Sequence, residues 1–286
     1  MTATAFERGF TLALGGGGAR GWAHIGVARA LRARGLAPTR IVGTSMGAII
    51  GAGMAAGRSP DEMEAAALQT PVMRLMDRPG RLAFFDARPL LERLAADLGD
   101  PRIEDLPTPL GVTTYDLVSG HARLLTSGRL VDALAMSIAV PFFLPPRRRG
   151  AGVWCDAGPW EGIPVSHART WDPGLPVVGV LADIPKPGFL ASRWGAAVLR
   201  GASARLGPGV ATDPLTARRY LALVTRRWAD PVVNEPPDVF IRPRLGWMSA
   251  LNFSRVGPAI AVGERDAGLA LDALSAAHPR GSVHAA

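Results

Sequence analysis

Two glycine-rich turns, each set between a short apolar strand and a helix, open this chain and limit the folds available to it. Phe10–Leu14 reads as a strand that runs into Gly15-Gly16-Gly17-Gly18. Trp22–Arg34 follows as a helix, with Ile25, Val27, Ala28, Ala30 and Leu31 supplying an apolar face. Gly35 is its stop signal and Pro38 a turn residue. Arg40–Val42 is a second strand, and Met46–Ala56 is a helix apolar all round, hence buried. Strand, loop, helix, strand, turn, helix is the order of a parallel sheet covered by helices. The expected fold class is therefore α/β, with a mainly parallel central sheet flanked by helices.

The rest of the chain continues the alternation. Ser59-Pro60-Asp61-Glu62 is a helix start: a capping hydroxyl, proline in the first turn, then acids near the positive end of the dipole. Helices are predicted over Asp86–Gly99, Leu130–Ile138, Leu215–Trp228 and Ala259–Leu274. Strands are predicted at Leu110–Tyr115, Ala122–Leu125, Val153–Cys155, Val177–Leu181 and Val239–Ile241. With no internal repeat and no long linker, residues 10–275 are expected to form one domain, with 1–9 and 276–286 as flexible termini.

Composition narrows the class. At 286 residues with 48% apolar and 20% charged, the chain is far from a disordered composition. A single cysteine, Cys155, excludes an intramolecular disulfide framework and a cysteine-based zinc site. No signal peptide is expected, because Phe10–Leu14 passes straight into glycines rather than a cleavage site. The uncharged stretch Ile41–Gly57 approaches membrane-span length, but its many glycines and its Thr44-Ser45 favour a buried helix. The expected location is the cytoplasm, with peripheral membrane contact and no transmembrane segment.

The chemistry sits in the turns. Gly43-Thr44-Ser45-Met46-Gly47 is a G-x-S-x-G between a strand and a buried helix, the setting of a nucleophile elbow. The first turn lets the backbone approach a ligand closely and offers N–H groups at a helix N-terminus. Gly16, Gly18 and Gly21 also satisfy the dinucleotide pattern G-x-G-x-x-G. That reading wants an acid about twenty positions further on, and Leu36-Ala37-Pro38-Thr39-Arg40 has none. A serine nucleophile needs a base. Among His24, His121, His167, His278 and His284, only His167 follows a plausible acid; His24 lies within the first helix and reads as packing. The other base is Asp156, in Trp154-Cys155-Asp156-Ala157-Gly158, where a short apolar strand ends in an acid and small residues.

Together these residues resemble the patatin-like phospholipase family, lipid acyl hydrolases with a Ser–Asp dyad on an α/β sheet. The family's G-G-G-x-R-G matches Gly16-Gly17-Gly18-Ala19-Arg20-Gly21, its G-x-S-x-G matches Gly43 to Gly47, and its aspartate motif falls at Asp156-Ala157-Gly158. Thr126-Ser127-Gly128, Ala135 through Pro141, and Leu144-Pro145-Pro146 add to the likeness, which covers roughly Phe10 to Ile184. The resemblance implies Ser45 as nucleophile, Asp156 as general base and Gly16, Gly17 and Gly18 as oxyanion donors. Ala19, Arg20, Gly21, Gly43, Gly47, Ala157 and Gly158 then support the motifs, with no metal and no cofactor. Arg20 would steady the glycine loop or draw in a phosphate-bearing substrate. Two departures stand out: Ala157 replaces a usual glycine, and Pro159 to Pro164 lacks the usual asparagines. Were position 157 left-handed, alanine would cost about 1–2 kcal/mol there. The implied substrate is a phospholipid or another lipid ester. The rival reading is a non-catalytic lipid- or nucleotide-binding protein that uses the glycine loop.

The charge of +8 does not point to nucleic acid. Lys186 is the only lysine among 32 basic residues, and the arginines are scattered, with no nucleic-acid motif. The tightest run, Arg147-Arg148-Arg149, reads as an exposed turn between Pro146 and Gly150. Each such arginine contributes up to about 1 kcal/mol at an anionic membrane, so peripheral contact is expected there.

Overall fold

A computed structural model describes residues 9–76, 85–141, 143–182, 213–226 and 235–277. The sheet strands are β1 (Thr11–Leu14), β2 (Arg40–Thr44), β3 (Leu110–Asp116), β4 (His121–Leu125), β5 (Arg147–Arg149), β6 (Gly152–Cys155), β7 (Val177–Val180) and β8 (Val239–Ile241). The helices are α1 (Ala23–Ala33), α2 (Met46–Ala55), α3 (Pro60–Gln69), α4 (Val72–Leu75), α5 (Arg88–Leu98), α6 (Leu130–Ser137), α7 (Val165–Trp171), α8 (Pro214–Arg226) and α9 (Val256–Ala277). A 3-10 turn, Gly18–Trp22, leads into α1.

The sheet runs β5-β6-β3-β2-β1-β7-β8, with β4 also paired to β3. β3, β2, β1, β7 and β8 are mutually parallel, and β4, β5 and β6 form the antiparallel side. Alternation along the strands sorts the residues into layers. Leu12, Leu14 and Ile41 pack with Val27 and Leu31 of α1, Ala48 and Ala52 of α2, Leu134 of α6 and Leu271 of α9. Ala13 and Val42 point the other way, onto Val165 and Ala168 of α7. The result is a three-layer α/β architecture with helices on both faces, as the sequence pattern requires.

Close packing is bought with glycine where α1 meets α9. A Cβ on Gly26 would lie 2.0 Å from the Ile260 carbonyl oxygen, and one on Gly263 would lie 2.0 Å from that of Ala23. The two backbones are therefore in contact. Outside α1 and α2, a second apolar cluster joins Met46, Ile50, Met63, Val72, Leu90 and Val256. The predicted cap of α3 is present as a capping box: Ser59 Oγ accepts from the Glu62 N–H, and the Glu62 carboxylate accepts from the Ser59 N–H.

Several elements differ from the sequence reading. Arg147–Arg149 is an edge strand paired to β6 rather than a turn. The short helices α4 and α7 have no counterpart in it. The last helix begins at Val256 and runs through Ala277. Arg227 and Trp228, at the end of the predicted arginine-rich helix, lie outside the described residues, as do Lys186, His278 and His284.

The strand β3 sets up the site. Tyr115 and Asp116 pair with β4 and also with β6, while Val112 and Thr113 pair with β4 and also with β2. Since a strand has two edges, β2 and β6 share the edge opposite β4. β2 runs parallel to β3 and ends opposite Thr113, and β6 runs antiparallel and ends opposite Tyr115. Their C-terminal ends thus point at each other across Thr114, whose hydroxyl donates to the Cys155 carbonyl at 2.8 Å. Ser45 follows the first strand end and Asp156 the second.

Candidate active site

Ser45 is wedged into a turn that ordinary backbone avoids. Its φ of 55° and ψ of −124° place it in sparsely populated space, at a cost of order 1–3 kcal/mol. Small neighbours make the turn feasible. A Cβ on Gly43 would lie 2.6 Å from the Gly47 oxygen, and one on Gly47 would lie 2.3 Å from the Leu14 oxygen. Ser45 is buried, with 7% exposure, and its carbonyl accepts from the N–H groups of Ala48 and Ile49 to start α2.

Two further groups hold this turn. The Ser45 N–H donates to Ser137 Oγ at 2.8 Å, at the end of α6. Thr113 Oγ donates to the Gly43 carbonyl at 3.2 Å and accepts from Thr44 Oγ at 2.5 Å. Ser137, Thr113 and Thr44 are all buried.

The glycine loop lies against the serine: a Cβ on Gly16 would be 3.4 Å from Ser45 Cβ. Gly17 and Gly18 have φ of 147° and 55°, a course that side chains would strain. Among the described residues, none accepts a hydrogen bond from the Gly16 or Gly17 N–H. Gly21 packs on α2, where a Cβ would meet Met46 Cγ at 2.4 Å, and Ala19 is fully buried. Arg20 is 2% exposed and donates to the carbonyls of Gly246 and Met248 at 3.0 and 2.8 Å. Of its two sequence roles, the geometry supports the brace. His24 is fully buried and donates from Nε2 to the Gly15 carbonyl at 2.8 Å. Burial pushes its pKa down to about 4, the bond to Gly15 opposing the shift. It is a neutral strut under the loop, and Nε2 carries the proton because a carbonyl can only accept.

Asp156 is 2% exposed. Its N–H donates to the Ala139 carbonyl at 3.0 Å, and its Oδ1 accepts from the Gly158 N–H at 2.7 Å. Thus Ser137 and Ala139, two residues apart, hold Ser45 and Asp156 respectively. Ala157 is buried, and its carbonyl accepts from the N–H groups of Trp160 and Glu161. The described non-glycine residues with positive φ are Ser45 and Asp100, so the strain considered for Ala157 does not arise. The Cys155 thiol stays protonated, because burial raises its pKa well above the ordinary thiol value.

His167 and His121 do not line the cavity that holds Ser45. His167 Nδ1 faces the Glu161 carboxylate at 3.1 Å, which also accepts from the Ser166 hydroxyl at 2.7 Å and the Ser166 N–H at 3.0 Å. This buried carboxylate caps the start of α7 and stands where the family's asparagines are missing. His121 is exposed and faces the Ser119 carbonyl. Among the described residues, no cluster of three or more histidines, cysteines or acids could hold a metal, and no helix is long and apolar enough to cross a membrane.

Ser45, Asp156, Gly16, Gly17, Gly18 and Gly158 all line one cavity of about 520 Å³. From there the cavity passes between α2, α3 and α5, walled by Ile49, Ile50, Met63, Ala66, Leu90 and Leu94. Its volume is that of a small-molecule site. The sequence assigns no role to Ser137, Thr113 or these helix stripes. The heptad-like spacing of Leu90, Leu91, Leu94 and Leu98 was the visible signal for one wall.

The family model described as Patatin-like phospholipase matches residues 12–169. An uncharacterized NTE family protein of Mycobacterium tuberculosis (strain ATCC 25618 / H37Rv) is 35% identical over 176 residues, which are 60% of this chain and 46% of that protein. A second such protein of the same strain is 28% identical over 294 residues, covering 93% of this chain and 47% of that protein. Patatin-like phospholipase domain-containing protein 7 of Rattus norvegicus is 30% identical over 168 residues, covering 56% of this chain and 12% of that protein. The chain thus spans about half the length of its mycobacterial relatives. The crystal structure of VipD from Legionella pneumophila shares the fold, with a TM-score of 0.51 at 14% identity over 93% of this chain and 67% of that one. With more than half its length matched by the family model, the chain belongs to the patatin-like phospholipase family.

Proposed function

We propose that the chain is a lipid acyl hydrolase, a serine hydrolase that cleaves carboxylic esters through an acyl-Ser45 intermediate. The observation that carries this reading is the strained, buried Ser45, sharing one apolar cavity with Asp156 and the glycine loop. The Asp156 carboxylate takes the proton as Ser45 Oγ bonds to the ester carbonyl carbon. The carbonyl electron pair moves onto oxygen, facing the N–H groups of Gly16, Gly17 and Gly18, where each donor contributes about 3 kcal/mol. Collapse expels the alcohol, which takes the proton back from Asp156. Water then attacks the acyl carbon while Asp156 accepts its proton, and collapse breaks the bond to Ser45 Oγ, which takes that proton from Asp156 as the fatty acid leaves. The acyl chain lies between α2, α3 and α5 during both steps. The fold unit assigned to this work is residues 10–275.

Ser45→Ala and Asp156→Asn are each expected to abolish hydrolysis of nitrophenyl butyrate, and Ser45→Ala to abolish labelling by a fluorophosphonate probe. Esterase activity retained in Ser45→Ala would overturn the reading. Labelling absent from the folded native chain would favour a lipid-binding role without catalysis. Membrane contact through Arg147, Arg148 and Arg149 belongs to the same proposal; Arg148 and Arg149 are exposed on the edge strand β5.

A further inference from the structure

Trp247 is 92% exposed, a large aromatic side chain standing in solvent. It sits on the connection between β8 and α9, and that connection is firmly fastened. Arg20 donates to the carbonyls of Gly246 and Met248, one on each side of Trp247. Ala250 accepts from the Ala19 N–H at 2.7 Å. The Phe253 carbonyl accepts from the Trp22 indole N–H at 3.3 Å, and the two rings meet edge to face. The Arg244 N–H donates to Asp266 at 2.7 Å. A tryptophan held out on a fixed loop loses little conformational freedom when it is covered, so its burial is not offset by ordering.

The loop is also part of the cavity mouth. Ala250, Leu251 and Phe253 line the cavity that holds Ser45, and Leu251 is itself 43% exposed. The loop itself carries charge of one sign: Arg242, Arg244 and Arg255 are exposed, and the sequence from 242 to 255 contains no acid. Arg244 reaches toward the buried Asp266 at 3.6 Å with most of its side chain in solvent. An exposed indole flanked by arginines beside an apolar opening matches the layering of a bilayer surface, apolar below and anionic at the head groups.

We propose that the Trp247 loop docks this protein on an anionic lipid bilayer, with the indole entering the interface and Arg242, Arg244 and Arg255 facing the head groups. The loop that touches the membrane is the one bolted to the glycine loop through Arg20 and Ala19. Docking therefore brings the cavity mouth to the lipid without a separate hinge. The effect on lipid turnover rests on the hydrolase reading; binding itself does not.

The two are separated by measuring binding in the Ser45→Ala background, by co-sedimentation with vesicles of phosphatidylglycerol and phosphatidylcholine. Trp247→Ser is expected to weaken partitioning about tenfold. Arg244→Ser with Arg255→Ser is expected to weaken it by about fivefold per arginine, with no change on vesicles of phosphatidylcholine alone. In the active chain, Trp247→Ser should slow hydrolysis of vesicle-embedded ester while leaving soluble nitrophenyl butyrate unaffected. Unchanged partitioning in Trp247→Ser would overturn the proposal, including the case in which binding is lost only on replacing Arg147, Arg148 and Arg149 by serine. Equal losses on soluble and vesicle substrates would overturn it too, since the side chain would then act on the fold.

Discussion

Replacing Ser137 by alanine removes the acceptor for the Ser45 N–H, a 2.8 Å bond between two buried groups. The orphaned N–H costs about 1–3 kcal/mol, because burial keeps water from substituting for the lost partner. Ser45 already holds a strained backbone at φ 55°, and that strain, of similar size, persists only while its surroundings enforce it. Removing about 2 kcal/mol from the strained arrangement alone shifts the balance toward a relaxed turn by roughly thirtyfold. Turnover of nitrophenyl butyrate by Ser137→Ala should therefore fall at least about tenfold in kcat, with KM little changed. Ser137→Thr separates the hydroxyl from the packing. Its extra methyl at a site with no exposure lowers the melting temperature through overpacking, yet it keeps the acceptor and should keep kcat. Retention of full kcat in the alanine variant would refute the reasoning, as would an equal loss in the threonine variant.

Other outcomes follow from the same geometry. Gly47→Ala puts a Cβ 2.3 Å from the Leu14 oxygen and 2.5 Å from the Gly15 oxygen, so it should destabilise the fold by about 3 kcal/mol or more, measured by urea unfolding. Gly53→Val narrows the cavity beside Met63, whose Sδ would lie 2.9 Å from the new Cβ. Hydrolysis of nitrophenyl decanoate should drop about tenfold while the butyrate is nearly unaffected; parallel losses would place the acyl chain elsewhere. His24 is neutral in the fold, with its pKa lowered from 6.5 to about 4. The unfolded chain then binds the extra proton first, so stability is full above pH 6.5 and is lost as pH falls toward 4. The loss attributable to His24 is about 3 kcal/mol. Chemical unfolding across that range should show the slope, and His24→Gln should flatten it.

What the sequence made legible was local. Gly43, Ser45 and Gly47 are close enough in the chain for their spacing to imply a turn, and the flanking apolar runs identify its strand and helix. Asp156 was harder, because an acid after a short strand is an ordinary turn residue unless its partner is known. The supporting groups were out of reach. Ser137 and Thr113 act through contacts between distant segments; the stretch from Ala135 to Pro141 adds to the family likeness, but nothing in it singles out the Ser137 hydroxyl, and nothing near Thr113 marks it. β5 is a run of three arginines whose strand character comes wholly from pairing with β6, against the expectation of a turn. α7 is short and is started by the buried Glu161, a cap that follows no common sequence pattern. Trp247 has no periodicity at all, and only its exposure sets it apart.

The end-to-end arrangement of β2 and β6 along one edge of β3 has a mechanical consequence. Ser45 and Asp156 come from distant stretches of chain, yet both are mounted on a single rail, so a tilt or shift of β3 carries them together and leaves their separation alone. The same mounting makes the spacing sensitive to slippage. If β6 moved by one residue against β3, its side chains would exchange faces, and Asp156 would turn away from Ser45. A one-residue deletion inside β6 should thus abolish the chemistry, whereas an insertion at the exposed Gly150-Ala151 tip, which leaves the register untouched, should be tolerated.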